Sequence, residues 1–173
     1  MALSTRRPVA ILCERIPGTP ADVAAALERL KISGQRKEIN EVRLTDMVIV
    51  LGEVLNNIVE HALAGRDDGH VDLSVLRRSG RIEVETCDNG RPMPPALLSG
   101  AELPDIGEEL DDMPEGGFGW FIIHSLVDDM IYERESGLNR LAFTFDLNVP
   151  TAAGEDGSVS DARMSGHQSS QAV

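Results

Sequence analysis

The chain has 173 residues, 42% of them hydrophobic and 26% charged, the profile of one globular domain with enough length for a real core. A formal charge of −13 argues against a nucleic-acid partner that would need a basic face, and the longest apolar stretches, around Met47–Leu51 and Phe118–Ile123, are too short to cross a bilayer. The first residues show no apolar run with a small-residue cleavage site, so the reading is a cytoplasmic protein, with Cys13 and Cys87 as buried thiols and no disulfide framework.

Val9–Ile16 reads as a first strand, closed by Pro17-Gly18. Thr19 can cap a helix with Pro20 in its first position, and Val23, Ala26, Leu27 and Leu30 give that helix an apolar stripe that Ser33-Gly34 should end. A longer helix is predicted over Glu38–Ala64, burying Val42, Met47, Val50, Leu51, Val54, Leu55, Ile58 and Val59. Val71–Leu76 and Arg81–Cys87 alternate apolar and polar residues around Ser79-Gly80, the pattern of an antiparallel hairpin. From Arg91 to Glu115 runs a proline-rich, acidic segment without a clear period, read as a lid or solvated loop. A third helix is predicted over Trp120–Val127, then strands Met130–Glu135 and Leu141–Val149 joined at Ser136-Gly137. Residues 151–173 have no aliphatic period and are expected to be a disordered tail after a domain over 1–150. Four or five mostly antiparallel strands with three helices on one face make an α+β two-layer sandwich.

Three clusters can carry chemistry. Glu53, Asn57 and His61 recur at i, i+4 and i+8, which on a continuous helix sets them in one row. An Asn carbonyl is a hard oxygen suited to magnesium, and a carboxylate one turn away can deprotonate an attacking hydroxyl. Asn56, adjacent to Asn57, points about 100° away. The row can also be an ordinary polar helix face. Asp88-Asn89-Gly90 follows a strand; it is ordinary turn chemistry, or a carboxylate that accepts from an adenine amine with Gly90 letting the base come close. Gly116-Gly117-Phe118-Gly119 precedes an apolar helix, where bare amides and the helix N-terminus suit phosphate, although a flexible hinge has the same composition. No Gly-Lys-Ser/Thr follows, so it is not a P-loop. With no Lys or Arg close by in sequence, magnesium and backbone amides would carry most of the neutralisation.

Glu53-x-x-x-Asn57-x-x-x-His61, Asp88-x-Gly90 and Gly116-Gly117-x-Gly119, in that order, resemble the N, G1 and G2 boxes of the GHKL ATPases. Within them the chain most resembles the small bacterial anti-sigma-factor serine/threonine kinases of the RsbW type, over roughly Val9 to Val149. The resemblance implies the Bergerat ATP-binding fold, with ATP and Mg2+ as cofactors. It makes Glu53 the catalytic carboxylate, Asn57 the magnesium ligand, Asp88 the adenine acceptor and Gly90 the close-approach glycine. It puts Gly116, Gly117, Phe118 and Gly119 in the phosphate-binding end of the lid, and His61 at a recurrent position whose role is nucleotide binding or structural support. Trp120 departs from the pattern, which usually has a smaller aliphatic residue there.

The activity so implied is a partner-switching protein kinase. It would be a homodimer that phosphorylates a STAS-domain antagonist and sequesters a sigma factor or similar regulator, with no nucleic acid or membrane as direct partner. The alternative is a nucleotide-gated binding module that sequesters a partner without phosphotransfer.

Overall fold

The computed structural model describes residues 7–94 and 117–147. Their elements in chain order are β1 (Val9–Pro17), α1 (Pro20–Arg36), α2 (Glu41–Asn57), a π-helical turn (Ile58–Ala62), β2 (His70–Arg78), β3 (Arg81–Asp88), α3 (Gly117–Leu126), β4 (Asp128–Glu135) and β5 (Leu138–Asp146). The strands form one antiparallel sheet in the order β1-β2-β3-β5-β4. The expected α+β sandwich is therefore the observed one, with five strands and three helices among the described residues. Of the segment expected as a lid, Arg91 to Glu115, only 91–94 are among them, and the tail expected from 151 onward lies outside them.

Local chemistry explains most boundaries. Thr19 caps α1 by accepting from the Asp22 N–H at 3.2 Å, and Asn40 caps α2 by accepting from the Val42 N–H at 2.9 Å. Both hairpins turn on a Ser-Gly pair with positive φ at each residue, 45° and 86° at Ser79-Gly80 and 51° and 85° at Ser136-Gly137. Two consecutive positive φ values give the turn whose twist matches that of the flanking strands. Inward positions of the strands alternate as expected: Val71, Leu73 and Val75 on β2, Ile82 and Val84 on β3, Leu141, Phe143 and Phe145 on β5. Against them pack Met47, Val50, Leu51, Val54 and Leu55 of α2.

Four expectations need correction. Val42, expected on the buried side of the second helix, is 49% exposed in the first turn of α2, where the buried face begins at Leu44. Gly34 does not end α1; it lies inside the helix, buried, where an added β-carbon would stand 2.5 Å from Leu44 Cδ1. Its role is to let α1 and α2 approach closely. The helix expected through Ala64 changes pitch after Asn57, and the Leu63 N–H donates to the Ile58 carbonyl at 2.8 Å, a five-residue step. The fourth concerns the thiols. Cys13 and Cys87 sit on the open face of the sheet, Cys13 exposed and Cys87 half-buried, because their positions in β1 and β3 alternate with the inward ones.

Candidate functional site

Glu53 and Asn57 lie one turn apart near the end of α2. The Asn57 Nδ2 donates to the Glu53 backbone carbonyl at 2.7 Å. That bond fixes the amide, because only its nitrogen can donate to a carbonyl, and leaves Oδ1 as an acceptor on a residue that lines the cavity. The Glu53 carboxylate reaches the first turn of α3: a β-carbon on Gly119 would lie 3.3 Å from Glu53 Cδ and closer still to Oε2. The carboxylate therefore faces the N-terminal turn of α3. Asn56 is exposed and outside the cavity wall, as its angle on the helix predicts.

The π-turn breaks the expected row. His61 no longer continues the line of Glu53 and Asn57, yet it remains exposed and on the cavity wall beside Asn57. The wider turn also offers a seat for the strap after β3. The Arg91 N–H donates to the Ala62 carbonyl at 2.9 Å, and Gly90 lies so close that a β-carbon would stand 2.7 Å from the Ala62 carbonyl carbon, oxygen and Cβ. Gly90 is thus required first by the protein's own backbone. The sequence motif led only to a ligand-side reason for it.

Asp88 ends β3 and is buried. Its Oδ1 accepts from the Gly90 N–H at 2.8 Å and from the Asn139 Nδ2 at 2.8 Å, leaving Oδ2 without a hydrogen bond among the described residues. Burial pushes its pKa up; the donations from Asn139 and Gly90 and the charge of Arg134 act in the opposite direction. Asn139 was invisible in the motifs, but it stands opposite Asp88 in the register of β3 and β5. The signal that finds it is a polar residue in an inward position, in line with Leu141, Phe143 and Phe145.

Asn57, His61, Asp88 and Asn139 line one cavity of about 240 Å³, and Glu53 is not among its lining residues. Asn57, His61 and Asp88 supply polar wall, while Ile58, Ala62, Met93, Trp120 and Leu141 supply apolar wall. A mostly apolar cleft with a few convergent polar groups is the form of a small-molecule site. Arg91 also lines it, and Arg134 donates to the Gly90 carbonyl at 3.1 Å, so the fold brings cations that the local sequence did not show. Trp120, the chain's one tryptophan, is buried with its Nε1 unpartnered among the described residues. Gly117, Phe118 and Gly119 form the first turn of α3, inside the helix instead of ahead of it, and Gly116 lies outside the described residues.

Known proteins are similar to this chain in sequence and in fold. The sequence model of the histidine kinase-like ATPase domain matches residues 16–145. The serine-protein kinase RsbW of Listeria monocytogenes serotype 4a is 30% identical over 128 residues, covering 72% of this chain and 80% of its own. That of Oceanobacillus iheyensis is 27% identical over 127 residues, covering 72% and 79%. Among solved structures, the RsbU and RsbW domains of a Mycobacterium tuberculosis protein align with a TM-score of 0.53 at 14% identity, over 82% of this chain and 32% of that one, a likeness of fold. A helix bearing Glu53 and Asn57, a buried acid at the end of β3 and a glycine-rich first turn of α3 occur here within the span that the family model matches. By that match and by its relatives, the chain belongs to the histidine kinase-like ATPase domain family.

Proposed function

We propose that the protein is an ATP-dependent serine/threonine kinase of the partner-switching type. It phosphorylates a STAS-type antagonist and sequesters a sigma factor or similar regulator, working as a homodimer. The observation that carries the reading is the pairing of Glu53 and Asn57, with one side chain turned to α3 and the other lining the cavity, its amide oxygen left as an acceptor. The relatives named as serine-protein kinases support the same chemistry.

In this reading the adenine amine donates to Asp88 Oδ2, the free oxygen of a fixed carboxylate, and the base lies between Ile58, Ala62, Met93 and Leu141. The phosphates extend towards the first turn of α3, whose amides and dipole suit anions. Magnesium fits the donor set: Asn57 offers one hard oxygen, and no cluster of three acidic, His or Cys side chains occurs among the described residues. Magnesium is commonly bound this way, by few protein oxygens with waters and phosphates completing the shell, and when bound it neutralises charge on the phosphates. Glu53 accepts the proton of the incoming hydroxyl as its oxygen attacks the γ-phosphorus, the bond to the β-phosphate oxygen breaks, and ADP leaves. Positioning and electrostatics supply most of the rate.

Labelled ATP incubated with the chain and a STAS-domain antagonist tests the proposal. The wild-type protein should transfer label to a serine or threonine, and Glu53→Ala should bind ATP yet transfer none. Undiminished transfer by Glu53→Ala removes that residue from the mechanism. Nucleotide binding with no transfer by the wild-type protein makes the chain a nucleotide-gated binding module.

A further inference from the structure

Asn139 is 3% exposed, yet every hydrogen-bonding position of its amide is used. Nδ2 donates to Asp88 Oδ1 at 2.8 Å and to the Arg91 carbonyl at 2.8 Å. Oδ1 accepts from the Tyr132 hydroxyl at 2.8 Å and from Arg134 Nη1. The Tyr132 hydroxyl in turn accepts from the Met93 N–H at 3.0 Å, and Arg134 Nη1 also donates to the Gly90 carbonyl. Residues 88–93 are therefore tied at four places to side chains of β4 and β5, through one amide whose orientation cannot reverse without breaking all its bonds.

The direction of donation matters. Met93 donates to Tyr132, Tyr132 to Asn139, and Asn139 to Asp88, so the chain of hydrogen bonds ends on the carboxylate with a donor. Successive bonds of one sense polarise each other. With Gly90 they occupy Oδ1 and leave Oδ2 as an acceptor. An acceptor selects a base bearing an amino group; a protonated Asp88 would present a donor and select an oxo group.

We propose that Asn139 is a positioning and specificity-determining residue: it aims Asp88 Oδ2 at the cavity as an acceptor and so selects a 6-amino purine over a 6-oxo purine. The proposal rests on the nucleotide reading of the site. Removal of the Nδ2 donor takes away a bond that favours the ionised form of Asp88, whose burial already works against ionisation. The charged and titratable groups around Asp88 are Arg134 and Tyr132 on β4, His70 on β2, His61 on the π-turn and Arg91 on the strap. The two histidines and both arginines stay in place in each variant.

The test compares ADP with IDP, which differ at the 6-position, by calorimetric titration across pH for the wild-type protein, Asn139→Leu and Tyr132→Phe. The wild-type protein should prefer ADP. Asn139→Leu should lower the ADP-to-IDP affinity ratio about tenfold, the value of one lost charge-assisted hydrogen bond. Its ADP binding should also fail at a higher pH than the wild type as the solution is acidified. Tyr132→Phe, which loses one hydroxyl and keeps the ring, should shift the ratio in the same direction by less, and it carries the test should Asn139→Leu not fold. A general structural role would weaken both nucleotides alike. An unchanged ratio and pH profile in a folded variant overturns the proposal while leaving the nucleotide site standing. Failure of the wild-type protein to bind either nucleotide overturns the nucleotide reading itself.

Discussion

The carboxylate of Glu53 occupies the space that a side chain on Gly119 would fill, so the two residues join α2 and the first turn of α3 by a contact that only glycine permits. Gly119→Ala should therefore push the carboxylate aside. The obstacle is the end of a flexible side chain, and Ala favours a helix over Gly by about 1 kcal/mol, so the variant should fold with unchanged or raised stability. Phosphotransfer should fall about tenfold or more, because a displaced base loses its geometry. Thermal unfolding alongside a phosphorylation assay checks both halves; a fully active Gly119→Ala protein would separate Glu53 from the reaction.

Gly90 meets rigid backbone where Gly119 meets a mobile carboxylate. A β-carbon there would stand 2.7 Å from three atoms of Ala62, none of which can rotate away. Gly90→Ala should cost about 3 kcal/mol by overpacking and weaken ADP binding as the strap lifts off the π-turn. Gly65→Ala is the comparison: its φ is +74° but nothing lies within 4 Å, so it should cost only about 1 kcal/mol and leave ADP affinity alone. Urea unfolding and titration with ADP read the difference.

Asp88 ties stability to function in opposite senses. Its pKa is raised in the folded state, chiefly by burial, so the native protein binds its proton more tightly than the unfolded chain. Stability therefore falls as pH rises from the ordinary carboxylate value through the raised one, and the penalty remains at neutral pH. Asp88→Asn keeps an oxygen for the Gly90 and Asn139 donors and removes the charge. It should melt higher at pH 7, lose that part of the acid-range pH dependence, and bind ADP more than tenfold more weakly because an N–H replaces the free acceptor. A lower melting temperature at pH 7 would contradict the sign.

Gly34→Ala should cost about 1 kcal/mol, the balance between overpacking on Leu44, 2.5 Å away, and the gain in helix propensity. It lies far from the cavity wall in sequence and packing, so ADP affinity should not change. Denaturant unfolding gives the first number and calorimetry the second.

What the sequence made legible was local and periodic. Thr19-Pro20 marked the start of α1, the two Ser-Gly pairs marked both hairpins, and alternation on β2 and β3 assigned their inward faces. Glycines were harder, since Gly34 and Gly90 have the composition of breakers and turns while their function is close contact with Leu44 and Ala62 across elements distant in the chain. The π-turn left no periodic trace, because one widened turn within Glu38–Ala64 does not disturb an apolar stripe enough to be read. Asn139 escaped for a third reason: its partners Asp88, Arg91, Tyr132 and Arg134 come together only once β4 and β5 pair with β3. Asn57 and Asp88 line one cavity, and His61 reaches its wall by the π-turn and not by the helical row that first singled it out. Glu53 is not among the lining residues and instead faces Gly119 of α3.

The most direct test of a nucleotide site built on Asp88 and Asn57 is the shift in melting temperature on adding ADP, with and without magnesium, for the wild-type protein and Asp88→Asn. Ligand at a hundred times its dissociation constant stabilises a native state by about 2.7 kcal/mol, several degrees for a domain of this size. The expected result is a rise for the wild-type protein that is larger with magnesium, and a rise at most about half as large for Asp88→Asn at the same ADP concentration. No rise in the wild-type protein, or an equal rise in the two proteins, would contradict the account.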